Sequence, residues 1–494
     1  MSSNDSTGKV KIKRTWYRTT RFNAHVIGIV GFTAPGLWNA MNALGAGGAR
    51  EPYLVNAANA LVFALLGVFC LLGATVANYI GLAWTLALGA VGYPLYSAGL
   101  YCNVKFGNVW FVLVGAAIDG ISAGLFWASE AAVAVGYPEP AKRGKYLNIW
   151  VWWRTLGPIV GGAIVLALNN KQGQRPYTYL VFIALQCLSV PVALLLTPPE
   201  KVERSDGTKV QAQKKVAFKQ NFVDLWKSLK RREILLLFPI FSAAYFNSYS
   251  STFATVYFSV RARALNGLLG NFPVLLASQL ISWLLDCKRF TRKRRLVYGF
   301  WIALLTHILA WVYALVVIVQ FRHDGPVLDW TSKGYAKGFF VDVFCKNWRT
   351  TNHSLLLTFC RAAGSFSKQI LQSWLYYVMG TLTDDISELT RYTGILRGME
   401  SFAQAVAYGL NATRNVDPWV PVCLQRLSTL NVGFTAYNTR KLGINVALLL
   451  ISIYPTWLVI SNLEPPEDED IKKRVEDEED TASVSQKAKV LEDI

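Results

Sequence analysis

Apolar residues along the chain gather into runs of roughly 18 or more, the length a helix needs to cross a bilayer, separated by short polar stretches. The runs fall at about 24–44, 53–77, 80–101, 110–136, 147–168, 178–197, 234–258, 264–285, 296–320, 336–380, 393–412 and 442–462. They predict an all-α polytopic membrane protein with twelve transmembrane helices in two six-helix halves. The divider is the polar stretch Pro198–Arg232, whose amphipathic segment Phe218–Leu229 predicts a short surface helix. The expected layout is an N-terminal tail (1–23), a first half (24–197), a basic linker (198–233), a second half (234–462) and an acidic, disordered tail (463–494).

Two places break the pattern. Polar inserts near 345–374 and 422–440 interrupt the tenth span and precede the twelfth. They read either as intron-derived or mispredicted gene segments or as genuine lumenal loops. Asn352 and Asn411 open possible glycosylation sequons.

Composition agrees with the pattern. Of 494 residues 53% are hydrophobic and 16% charged, with a mean hydropathy of +0.29; soluble domains carry about 25% charged residues. The net charge of +19 suggests nucleic acid. Its distribution argues against that partner, because the Lys and Arg residues sit in loops that flank apolar spans. The N-terminal tail, the loop with Lys142, Arg143 and Lys145, the central linker and the loop with Lys288–Arg295 fall on one side of an even-span layout. Both termini are therefore expected in the cytosol. The first 23 residues are polar and basic, so the first span is expected to act as the insertion signal. Seven scattered cysteines and four isolated histidines form no metal motif, and no cofactor is expected.

The candidate chemistry lies inside the spans. Asp119 and Glu130 stand eleven residues apart in the run 110–136, about 20° apart around a helix and roughly 16 Å in height. A charge at mid-membrane costs about 2.5–3.5 kcal/mol on insertion scales. Two on one stripe predict a helix that faces a polar interior, where a carboxylate can bind a cation or carry a proton. Arg154 in the fifth span is the expected structural partner of Glu130. Asn39 and Asn42 lie beyond a Pro35-Gly36 break that frees backbone carbonyls to line a cavity; interhelical hydrogen bonding is the other reading. Tyr245, Asn247, Tyr249 and Ser250 form a polar aromatic patch suited to an organic solute or to packing. His307, mid-span, is either a proton relay or a hydrogen-bonded structural residue. Glu400 and Gln404, one turn apart, are placed to complete a polar cavity. Trp150, Trp152 and Trp153 suit an interfacial belt.

Several motifs carry a family resemblance. Ser282-Trp-Leu-Leu-Asp286 with Arg289 and Arg292 is similar to the second copy of the signature loop of the major facilitator superfamily. That resemblance implies a cytoplasmic gating loop in which Asp286 and these arginines form a charge latch. The first copy, Gly73-Ala-Thr-Val-Ala-Asn78-Tyr-Ile-Gly81, lacks the acid and the arginines. Gly157-Pro-Ile-Val-Gly161-Gly162 resembles the tail of the superfamily's antiporter motif, and close packing of small residues explains it equally well. Longer runs resemble the fungal members of the Unc-ninety-three-like family, also called ion-channel regulatory proteins: Gly92-Tyr-Pro-Leu-Tyr-Ser-Ala-Gly-Leu-Tyr-Cys-Asn103, Gly120-Ile-Ser-Ala-Gly-Leu-Phe-Trp127, Gly136-Tyr-Pro-Glu-Pro140 and Leu375-Tyr-Tyr-Val-Met-Gly-Thr-Leu-Thr-Asp384-Asp385.

The resemblance implies a major-facilitator-type fold and two functional readings. One is a secondary transporter of a small solute or ion by alternating access, with proton coupling as one option. The other is a non-transporting regulator or trafficking partner of another membrane protein. No nucleophile constellation, phosphate loop or ligand spacing points to an enzyme.

Overall fold

The structure is a computed structural model. It describes residues 15–43, 52–168, 177–210, 217–246, 259, 265, 268–320, 363–383, 385–412 and 433–463. Among these residues there is no β-strand, only two isolated bridges, Thr19 with Glu203 and Glu203 with Lys209.

The helices follow in chain order: α1 (Thr20–Gly31), a π-helical turn (Phe32–Gly36) and α2 (Leu37–Ala43), then α3 (Pro52–Ile80), α4 (Leu82–Ala90), α5 (Gly92–Phe106), α6 (Trp110–Gly136), α7 (Arg143–Leu168), α8 (Tyr177–Cys187) and α9 (Ser189–Ala193). After the linker come α10 (Phe218–Lys230), α11 (Arg232–Tyr245), α12 (Phe272–Leu285), α13 (Arg292–Gln320), α14 (Ala363–Leu382), α15 (Ile386–Ala412) and α16 (Gly433–Asn462).

Sequence dictates most of the breaks. Gly81 adopts φ +84°, so α3 turns into α4 on one residue. Pro94 has no N–H to return to Ala90, and the third expected span divides there into α4 and α5. The expected break at Pro35-Gly36 takes another form: a π-helical turn absorbs Pro35, and the helix runs on from Thr20 to Ala43. Among the described residues, four stretches are long and apolar enough to cross a membrane: Asn56–Ile80, Trp110–Gly136, Pro140–Leu168 and Arg292–Val312. Shorter apolar helices are Tyr177–Ala193, Phe272–Leu285 and Val446–Asn462. Large apolar side chains such as Val68, Val114, Leu280, Trp283 and Leu309 stand exposed on these helices, as a lipid-facing surface requires.

Packing brings distant helices together. α3 lies along both α6 and α15, and α7 along α1, the π turn and α12. Gly157 of α7 sits on the π turn: a Cβ there would come 2.5 Å from the Cα of Gly36 and 2.7 Å from the Phe32 carbonyl oxygen. Small residues at this crossing let the two backbones touch.

Residues 363–374, expected to lie in a polar insert, are the start of α14, and residues 433–440, expected in the second insert, belong to α16. Residues 345–362 and 422–432 lie outside the described residues. Trp150, expected at an interface, is buried in the core, and its indole ring packs edge-on against Tyr376 of α14. The linker is bound to the helices. Arg204 donates to the carbonyls of Gly136 (2.8 Å) and Tyr137 (2.9 Å), a cation placed on the C-terminal end of α6. Asn221 of α10 accepts a hydrogen bond from Asn78 of α3 at 2.7 Å.

Candidate functional site: a buried cluster of charges

The two carboxylates of α6 are both 0% exposed. Trp38 of α2 faces Asp119, and Trp150 of α7 faces Glu130. Neither pair closes to hydrogen-bond geometry, so all four carboxylate oxygens and both indole nitrogens lack a partner. Glu130 presses against α1, where a Cβ on Gly31 would stand 2.6 Å from its Oε1.

Beside Glu130, helices α7, α14 and α15 deliver three cations. Arg397 donates to Glu400 at 2.5 Å, three residues ahead on the same helix. Its guanidinium lies 3.9 Å from the centre of the Trp127 ring and 5.2 Å from that of Tyr245. The Lys368 ammonium lies 3.8 Å from the centre of the Tyr245 ring. Arg154 stacks 4.8 Å from the Trp150 ring and 5.5 Å from that of Trp127. Cations within about 6 Å of an aromatic face are held by its quadrupole, more firmly when desolvated.

The expected Arg154–Glu130 pair does not form. Arg154 turns to α14 and donates from Nη2 to the side-chain oxygens of Gln369 (3.1 Å) and Gln372 (3.3 Å). The polar residues of α14 explain this choice: Ser367, Gln369, Gln372 and Ser373 form a buried face that offers neutral acceptors.

The structure thus unites Glu130, Arg154, Tyr245 and Glu400 from the sequence-derived candidates, and adds Arg397, Lys368, Trp127 and the two glutamines. Asp119 stands apart on the same stripe. His307 is buried, with Nδ1 3.1 Å from the Ala303 carbonyl oxygen and its ring against Trp311. Gln404 is half-buried, and Asn39 is exposed. The side chains of Asn42 and Asn411, and residues Asn247, Tyr249, Ser250 and Asn352, lie outside the described residues. No three His, Cys, Asp or Glu side chains gather as a metal site among the described residues.

The gating loop differs from the expected charge latch. Asp286, just past α12, accepts from the backbone N–H groups of Gly144 (2.8 Å) and Lys145 (2.6 Å). It caps the N-terminus of α7, where free N–H groups and the helix dipole favour an anion. Burial holds its carboxyl above the usual aspartate range, partly offset by those two N–H groups. Arg289 is exposed, and Arg292 donates to the Thr381 carbonyl at 3.1 Å. Two further contacts lock α7 to α12 nearby: Asn148 donates to Gln279 and accepts from Ser278, each at 2.7 Å. Arg143 also donates to the Gly380 carbonyl of α14.

Comparison with known proteins points one way. The family model described as Major Facilitator Superfamily matches residues 26–328. The chain is 39% identical over 435 residues to notoamide biosynthesis cluster protein O' of Aspergillus versicolor, covering 86% of this chain and 88% of that protein. It is 28% identical over 461 residues to an UNC93-like protein of Schizosaccharomyces pombe, covering 90% and 84%. UNC93-like protein 1 of Arabidopsis thaliana is 29% identical over 414 residues, covering 80% and 85%. Among solved structures, the proton:xylose symporter XylE bound to 6-bromo-6-deoxy-D-glucose superposes with a TM-score of 0.51 at 14% identity, covering 87% of this chain and 93% of that one. That likeness is one of fold.

Proposed function

The chain belongs to the major facilitator superfamily, and from that premise we propose that it is a secondary transporter working by alternating access. The proposal takes the span count as twelve, in halves at 24–197 and 234–462 joined by the linker 198–233, with both termini and the tail 463–494 in the cytosol. The observation that carries it is the buried cluster. Arg154, Arg397, Glu130 and Glu400 are buried between the helices at 9% exposure or less. Such charges are costly in a membrane interior and mark solute and ion paths. In this reading Asp119 and Glu130 carry coupling charge, and Tyr245 with the cation cluster contacts solute. The Asp286–Gly144 contact, with Arg143 on Gly380, closes the path on the side of the linker.

The test is reconstitution into liposomes loaded with a pH-sensitive dye, with a panel of small solutes added outside. Solute-dependent flux that falls at least tenfold in Arg154→Gln is expected. Absence of flux for every solute, from protein shown to be folded by its thermal transition, would overturn the reading.

One observation favours the second reading, a regulator of another membrane protein. Asn78 lies in the first copy of the signature loop, which lacks its acid and arginines, and it donates to Asn221 of the linker helix. On α10, which carries Asn221, and the start of α15 lies an open groove of about 1470 Å³ where Phe222, Val223, Trp226 and Tyr392 stand among charged residues such as Lys227, Arg231 and Glu388. Stoichiometric co-purification of one membrane protein, lost on Trp226→Ala, is the outcome that reading expects.

A further inference from the structure

The charges of the cluster do not balance, and the imbalance has a sign. Arg397 is neutralised by Glu400 at 2.5 Å. Arg154 and Lys368 remain. Both hydrogen bonds of Arg154 run from Nη2 to neutral amide oxygens. Nη1 and Nε therefore have no partner among the described residues, although the residue is only 9% exposed. Lys368 has the Tyr245 ring beneath its ammonium and no carboxylate within ion-pair distance among the described residues. It is half-buried, the one cation of the three with open surface. Glu130 is the remaining acid, and it is turned to Gly31 and Trp150 rather than to Arg154. Counted as full charges, two unpaired cations face one unpaired acid.

Buried donors without acceptors surround the same point. Nε2 of Gln372, the hydroxyl of Tyr376 and Nε of Arg397 all lack partners. A buried donor left unpaired costs about 1–3 kcal/mol. The Glu130 oxygens and Oε1 of Glu400 are unpaired too, but they do not close on these donors, and with cations in excess of acids an anion from outside the chain can. Both two-point edges of a guanidinium include Nη2, which in Arg154 is taken by the two glutamines, so Arg154 keeps its Nη1 and Nε N–H groups as single-point, charge-assisted donors for an anion. Lys368, at the open edge, supplies a point charge that can turn to the entering group.

We infer that Arg154 and Lys368 form the anion subsite of the path, and that the solute is an organic monocarboxylate. One carboxylate oxygen takes Nη1 of Arg154 and the other the Lys368 ammonium, with the Gln372 amide and Tyr376 hydroxyl as further donors. Tyr245, Trp127 and Trp150 wall the subsite and hold the cations in place whether or not a solute is bound. This inference rests on the transporter reading above only for the word "path"; binding itself can be measured without transport.

The experiment uses the full chain, purified in detergent, and three pairs of probes: acetate and acetamide, benzoate and benzamide, decanoate and decanamide. Binding is read from quenching of tryptophan fluorescence, since Trp127 and Trp150 line the subsite, and from the shift of the thermal transition. In at least one pair the carboxylate is expected to bind tenfold or more tighter than its amide. Lys368→Gln should bring that carboxylate to the level of the amide, and Lys368→Arg should keep most of the preference. Benzylamine, the cationic counterpart of benzoate, should not bind measurably. Amides that bind as well as acids in every pair, no binding by any carboxylate, or binding led by benzylamine each overturn the inference. The comparison of acid with amide on the unmodified chain stands even if a Lys368 variant fails to fold. Carboxylate binding of this pattern without flux in liposomes would sink the transporter reading and leave the anion subsite. Flux of a neutral or cationic solute that ignores Lys368 would do the reverse.

Discussion

The carboxylate of Asp286 accepts a hydrogen bond from the backbone N–H of Gly144 at 2.8 Å, across the junction of α12 and α7. The contact depends on the absence of a side chain at residue 144. A Cβ there would lie 2.7 Å from Asp286 Oδ1 and 2.8 Å from the Ser282 carbonyl oxygen. Gly144→Ala should therefore open the junction. Hydrogen bonds to a charged group contribute about 1.5–3 kcal/mol each, so a clear fall in thermal stability in detergent is expected. Asp286→Ala should fall similarly. The double variant should lose much less than the sum of the two, because both remove the same contact. Full additivity would show that the two residues act independently.

The same loop offers a test by pH. Glu139 is 2% exposed and accepts from both the backbone N–H and the hydroxyl of Ser205, each at 2.5 Å. Burial pushes its carboxyl up, but the Ser205 donors and the nearby Lys142 ammonium outweigh it and hold the pKa below the usual glutamate value of 4.5. A folded-state value below the unfolded one means that ionised Glu139 stabilises the fold above about pH 4.5 and that this contribution is lost as pH falls through the folded value. The unmodified protein should lose more thermal stability than Glu139→Gln on acidification from pH 6 to below that range. Parallel curves for the two proteins would remove Glu139 from the account.

Arg397 and Glu400 test the energetics of the cluster itself. Removing one member of a buried pair strands the other, at about 3–5 kcal/mol, whereas removing both restores much of the loss. Glu400→Gln should destabilise strongly, since it leaves three cations facing Glu130 alone. The double variant Arg397→Met/Glu400→Gln should recover a large part of that loss. If the double variant is no more stable than Glu400→Gln in a thermal scan, the pair is not the balancing element proposed here.

How much of this was legible in the sequence can be told from single residues. The stripe of Asp119 and Glu130, the cavity candidates Glu400 and Tyr245, and the surface helix near Phe218 follow from periodicity and from the rarity of polar and charged residues in apolar runs. The family resemblance rested on long motifs in the same helices. Lys368 escaped because it sits in a segment read as a polar insert. Its helix is polar on the buried face, where Gln369 and Gln372 serve Arg154, so no apolar run announces it. Arg397 lay inside an expected span and carried its own signal, an acid three residues later on one helix face. The partner of Arg154 was unreadable for a different reason. Proximity of α6 and α7 suggested Glu130, but the choice between an acid and two amides is made by the facing helix, which sequence order does not reveal. Gly144 is likewise intelligible only once Asp286 is beside it.

Asp119 and Glu130 should differ in what they couple. Both are fully buried with unpartnered oxygens, but their surroundings are unlike. Glu130 lies within electrostatic reach of Arg154 and Arg397, so a change of charge there is felt by the cations proposed to bind solute. Asp119 has Trp38 as its facing donor and no cation as a close neighbour among the described residues. Glu130→Gln removes a charge that opposes an incoming anion. It should leave solute exchange between equal compartments intact, or raise it, while abolishing uphill uptake driven by a proton gradient. Asp119→Asn should reduce both uptake modes by the same factor if it acts only on packing, and uphill uptake alone if it carries the proton. The two variants are therefore compared in counterflow and in gradient-driven uptake in the same liposomes. Gradient-driven uptake that survives in both would end the assignment of coupling charge to α6.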